Sequence, residues 1–106
     1  MIASVSGEVL VRRADHVVID ANGVGYALSV SAETLKAVPA VGQGARLLAH
    51  LVAREDSLSL YGFASEQERN LFGMLITVSG VGPKVAMAAL SGGPTRELLI
   101  AIASGD

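Results

Sequence analysis

The stretch Leu58-Ser59-Leu60-Tyr61-Gly62-Phe63-Ala64-Ser65-Glu66-Gln67-Glu68-Arg69-Asn70-Leu71-Phe72 changes its period halfway along. Up to Phe63 it has the apolar and aromatic content of a strand. From Ser65 onward the apolar residues recur at helical spacing, with Leu71, Leu75 and Val78 on one face and Phe72 and Met74 beside them. Ser65 and Glu68 fit a capping box, in which the serine caps the N3 amide and the glutamate reaches back to the cap residue. The chain therefore divides near Ala64 into a strand-rich part, 1–64, and a helical part, 65–106.

Working back from this point, the first part predicts about five strands. Residues 2–13 are extended, with Gly7 as a bend or bulge. A short turn at Asp15 and His16 precedes the β-branched run 17–19. Asn22-Gly23 is a strong hairpin signal leading into a strand over 24–30. Residues 31–38 predict a short helix capped by Ser31. After Pro39 and the Gly42/Gly44 pair, a strand runs over 45–53, a charged turn occupies 54–57, and a closing strand follows. Five antiparallel strands with a helix between the third and fourth give an OB-like β-barrel, with a small open sheet packed on the helix as the alternative. Working forward, Pro83 suits the first position of a second helix, 84–90, and a third is expected over 95–103. The fold class is α+β: an OB-like five-stranded β-barrel followed by a helical helix-hairpin-helix domain.

The chain has 106 residues, 17% of them charged, no cysteine and a formal charge of -2. Disulfides and thiolate metal sites are excluded, and no apolar run or secretory signal suggests a membrane. A cytoplasmic protein is expected. Neither part is basic: residues 1–64 hold five basic and six acidic side chains, and residues 65–106 hold three and four. Nucleic-acid binding must then come from local geometry and not from a general positive field.

That geometry is offered by Ser79-Gly80-Val81-Gly82-Pro83-Lys84. Glycines at 80 and 82 permit positive φ and close backbone approach. Val81 points inward and pins the turn. Free amides at the next helix start face a phosphate, and Lys84 adds a formal charge there. This is a helix-hairpin-helix pattern, which grips the DNA backbone without reading bases. A plain tight turn between helices is the alternative. Two nucleotide-site readings fit worse: a P-loop, because Val85 follows Lys84, and a dinucleotide site, because a helix precedes the turn and Ala86 falls at the last glycine position.

Val52-Ala53-Arg54-Glu55-Asp56, Leu60-Tyr61-Gly62-Phe63, Glu68-Arg69-Asn70-Leu71-Phe72 and Ser79 to Lys84 occur in this order together with Met1-Ile2, Gly7 and Gly23-Val24-Gly25-Tyr26. As an ordered set they resemble the RuvA family of Holliday-junction-binding proteins, over the whole chain. The resemblance implies a homotetramer bound to four-way junction DNA and acting in recombination and repair. It implies the RuvB ATPase as motor partner and the RuvC resolvase as a further one. It also implies that Glu55 and Asp56 form an acidic pin at the junction centre. The family's second hairpin motif and RuvB-contacting domain do not occur in these 106 residues. Full junction affinity and motor coupling are therefore not expected from them alone.

The DNA-binding residues expected are Gly80, Val81, Gly82, Pro83, Lys84 and Arg54. For Arg54 a local ion pair with Glu55 or Asp56 fits the sequence equally. Arg12 and Arg13 fit a solvated strand edge or a phosphate contact. His16 and His50 lack metal-ligand spacing and are expected to be structural. Met74 and Met87 are expected to pack in a core. No catalytic arrangement stands out, so a non-catalytic protein without cofactor or metal is expected. The rival readings are a protein-interaction module and a metal-dependent nuclease using Glu55 and Asp56.

Overall fold

The computed structural model describes residues 1–92 together with Glu97, Ala101 and Gly105. The element order is β1 (Ser4–Arg12), β2 (His16–Ala21), β3 (Val24–Val30), α1 (Ala32–Ala37), β4 (Gly44–Arg54), β5 (Ser57–Phe63), α2 (Glu66–Leu75) and α3 (Pro83–Leu90). The helix expected over 95–103 falls outside the described residues, apart from isolated positions. The described residues hold one helix–turn–helix unit, and the two-motif helical domain that the resemblance implies is not among them.

The sheet closes on itself into a five-membered ring in the order β1-β2-β3-β5-β4. The ring is not wholly antiparallel, as the strand reading had it. β3 and β5 pair in parallel, through Ser29↔Tyr61 and Val30↔Gly62. The reason is topological: α1 and β4 carry the chain across the ring, so β5 returns in the direction of β3. The arrangement is consistent with an OB-like α+β domain.

Local chemistry explains the elements. Asn22 and Gly23 both have positive φ, +53° and +90°, as a two-residue type I′ hairpin requires. Ser31 caps α1 by accepting from the Thr34 amide at 3.1 Å. The other end of α1 is capped from outside. The Arg12 guanidinium donates to the carbonyls of Leu35 (2.8 Å) and Val38 (3.2 Å). Arg12 is thus a helix cap and not a free phosphate ligand.

Gly7 is neither bend nor bulge. It lies in regular pairing with Ala45, and the register shift of β1 falls between Val9 and Val11. The glycine is needed because a Cβ there would sit 1.9 Å from the Asp20 carbonyl oxygen.

Two cores result. Inside the ring lie Val5, Val9, Val17, Ile19, Leu28, Val30, Leu47 and Ala49, with Val38 closing one end. A second core joins the ring's outer face to the helices, through Phe63, Phe72, Leu75, Ala86, Met87, Ala89 and Leu90. β4 serves both. Leu47 and Ala49 face the first core, while Leu48 and Val52 pack on the second. This accounts for its nearly uninterrupted apolar sequence. Phe72 is fully buried against the rings of Tyr61 (4.9 Å), Phe63 (5.1 Å) and His50 (5.3 Å). Met87 is in this core, but Met74 is exposed and lines a surface groove with Met1, Ile2 and Leu51. α2 ends at Leu75, one turn before Val78, where Thr77 and Val78 bond back only to Met74 and Leu75.

Candidate nucleic-acid interface

Strand parity builds the site. Along β4, Val52 and Arg54 share the outer face, and their β5 partners are Ser59 and Ser57. Tyr61, opposite His50, continues that face toward the base of the hairpin. There α2 covers the sheet through Phe72. Toward the tip the start of α3 overhangs it. A groove of about 340 Å³ remains between the two, with Arg54, Ser57, Ser59 and Tyr61 on one wall and Gly82, Pro83, Lys84 and Val85 on the other.

The α2–α3 turn is tight. Val81 N–H donates to the Val78 carbonyl at 3.0 Å, and Val81 packs half-buried on the second core. Gly80 has φ +83°, where a side chain is strained. Gly82 does not: its φ is -88°, and nothing lies within 4 Å of the position a Cβ would take. The positive-φ requirement expected of both glycines therefore belongs to Gly80 alone. Gly82 is the N-cap of α3 and supplies no side-chain cap. Pro83 stands in the first turn, and the Ala86 amide is the first to find a partner in the turn, the Gly82 carbonyl at 3.0 Å. The Lys84 and Val85 amides thus head the helix without a side-chain acceptor, beside the exposed Lys84 side chain.

Two cations from distant parts of the sequence meet on this groove, and no acid lines it. The ion pairs among the described residues are His16–Asp15, Lys36–Glu33 and Arg69–Glu66. None engages Arg54, so the local pair with Glu55 or Asp56 is not formed. Glu55 and Asp56 occupy the exposed tip of the β4–β5 hairpin, just past Arg54. Away from the groove, the His16 ring bonds Asp15 at 2.8 Å and holds its carboxyl below the usual carboxylate range. His50 packs edge-on against Phe72. Among the described residues no three His, Cys, Asp or Glu side chains gather for a metal ion, and no helix is long and apolar enough to cross a membrane.

The sequence reading missed Ser57, Ser59 and Tyr61. Parity within the hairpin, counted from Arg54, was the available signal. It also misplaced Glu68. Ser65 does cap the Glu68 amide at 3.2 Å, but the Glu68 carboxylate does not reach back. It accepts from the buried Ser31 hydroxyl at 2.7 Å and from the Thr34 hydroxyl. Two buried hydroxyls without other acceptors bind a carboxylate more strongly than a solvent-facing amide does.

A five-strand ring with a helical hairpin laid on its outer face, leaving a cation-lined groove at one hairpin tip, defines a small α+β protein of OB-like type. Residues 1–62 match the family model for the RuvA N terminal domain. Three relatives, each named Holliday junction branch migration complex subunit RuvA, are similar to the chain. The protein of Chromobacterium violaceum is 48% identical over the whole chain and 54% of its own length. That of Herpetosiphon aurantiacus is 50% identical over the same shares. That of Nocardia farcinica is 55% identical over 86% of the chain and 45% of its own length. The chain belongs to the RuvA family. It spans about half the length of the curated relatives it matches.

Proposed function

We propose that this chain binds four-way DNA junctions by shape and without reading sequence, as the DNA-holding, non-catalytic part of a branch migration complex. The observation that carries the reading is the shared groove, in which Arg54 from the ring faces the Gly82–Lys84 helix start. Free amides, a lysine and an arginine without competing acids suit a phosphate. Residues Gly80, Val81 and Pro83 hold the turn in place, and Gly82 lets a backbone approach.

The acidic hairpin tip supplies selectivity. In a homotetramer each copy brings Glu55 and Asp56 to the crossover. One carboxylate–phosphate repulsion at about 6 Å amounts to about 0.7–3 kcal/mol for an effective dielectric of 20–80. A base-pair step contributes about 1.4 kcal/mol. The tip thus disfavours continuous duplex and helps part a pair or so, while migration itself needs an ATPase motor of the RuvB kind. RuvC-type resolvases are further partners in this reading. Fourfold assembly also explains how a chain of net charge -2 holds DNA: weak phosphate contacts are multiplied by effective concentration.

The test is a gel shift of the chain with a four-way junction and with linear duplex of equal length, alongside a mass measurement of the protein. Junction preference and a tetrameric mass are expected. Equal affinity for both DNAs would end the shape-selective reading, and binding to neither would favour a protein-interaction module.

A further inference from the structure

The helical unit is fastened to the ring in two ways that differ in kind. Apolar packing of Phe72 on His50, Tyr61 and Phe63 holds the two together but is non-directional. The polar fastening is directional, and among the described residues four of its hydrogen bonds converge on the segment Ser31–Thr34. Ser31 Oγ donates to Glu68 Oε2 at 2.7 Å, and Thr34 Oγ1 donates to Glu68 Oε1. The connecting residue Ala64 donates its amide to Thr34 Oγ1 at 3.2 Å. From the far end of α3, Ser91 Oγ accepts the Ala32 amide at 3.0 Å. The N-cap and first turn of α1 thus grip the first turn of α2, the link before it and the residue after α3. Ser31 and Thr34 are buried, so their hydroxyls have no water to turn to.

We propose that this hydrogen-bonded joint sets the angle of the α2–α3 unit against the β4–β5 hairpin, and that Glu68 and Ser91 are positioning residues for nucleic-acid binding. Neither side chain lines the groove. They act through Lys84 and the Gly82 helix start, whose distance from Arg54 depends on how α2 and α3 lie on the ring. The inference rests on the proposed junction binding but concerns a different set of residues. When the joint is cut, the hydrophobic contact still holds the unit on, but over a range of angles. Apparent affinity then falls by the fraction of time spent in the docked orientation, about tenfold if that fraction is about a tenth.

The test uses the absence of cysteine in the sequence. Spin labels at Val41→Cys in the turn before β4 and Ala88→Cys on α3, both exposed positions, report the angle as a distance distribution. Glu68→Gln with Ser91→Ala should broaden that distribution and lower junction affinity about tenfold. The dependence on salt should not change, because the phosphates contacted in the docked state are the same. Circular dichroism checks folding, and Glu68→Gln alone carries the same test if the double variant unfolds. An unchanged narrow distance overturns the proposal, as does a broadened distance with unchanged affinity. Failure of the underlying reading looks different: Lys84→Ala would then bind as the parent does, a result that needs no spin label.

Discussion

Arg54 and Lys84 should act on one phosphate, since they stand on opposite walls of a single groove. The perturbation is Arg54→Ala, Lys84→Ala and the pair together. Each neutralised phosphate contributes about -0.9 to the slope of log affinity against log salt. A shared phosphate therefore costs the double variant about 0.9 of slope per DNA-contacting protomer, where two separate phosphates would cost about 1.8. Hydrogen bonds to a charged group contribute about 1.5–3 kcal/mol, so the double variant should bind roughly ten- to hundredfold more weakly per protomer. The assay is junction titration between about 50 and 200 mM salt, the range over which such slopes are well resolved. A loss near 1.8 would refute the shared contact. An unchanged slope would remove both residues from the interface.

Gly82→Ala should leave the fold nearly unchanged, because its φ is ordinary and the space open, yet weaken junction binding; unaltered binding would show that no ligand approaches there. Gly7→Ala should lower stability by about 1–3 kcal/mol or more, since its Cβ meets backbone and cannot be accommodated by a rotamer change; an unchanged melting temperature contradicts the close approach. Replacing Glu55 and Asp56 with lysine should raise duplex affinity more than junction affinity without loss of folding, and an unaltered ratio of the two dissociation constants makes them ordinary turn acids. Asp15 should titrate below the usual carboxylate range, as followed by NMR, and return to it in His16→Ala. Its small contribution to stability is present above the ordinary carboxylate pKa and is lost as pH falls through the lowered value.

Most of the local structure could be read from the sequence because its causes are local. Asn22-Gly23, Ser31 and Ser65 act on residues two or three positions away, and each does so as expected. The errors lie where a partner is distant. Glu68 reaches Ser31 and Thr34 across more than thirty residues. Arg12 caps a helix that starts twenty residues later. The demand on Gly7 comes from the Asp20 carbonyl on the next strand. Met74 has the spacing of a core residue, but α2 rests on the ring through Phe72 and Leu75, which leaves Met74 on the open side. For the site, Lys84 and the glycine turn were visible as a local pattern. That Arg54 stands opposite them was not, because the overhang depends on how α3 lies on the sheet.

The parallel closure between β3 and β5 is the shortest seam of the ring, two residue pairs long, where β4 and β5 share seven. It also joins segments more than thirty positions apart, and with only two residue pairs to offset the entropy of closing that loop it should form late in folding. In the native state it should be where the ring opens first. Exchange of the amides that bridge β3 and β5 should therefore outpace that of the amides that bridge β4 and β5. Ser29, Val30 and Tyr61 also line a recess under α3 with Lys84. A ligand that pins Lys84 would then clamp the seam shut, and slower exchange at these amides on adding DNA would register binding from inside the ring.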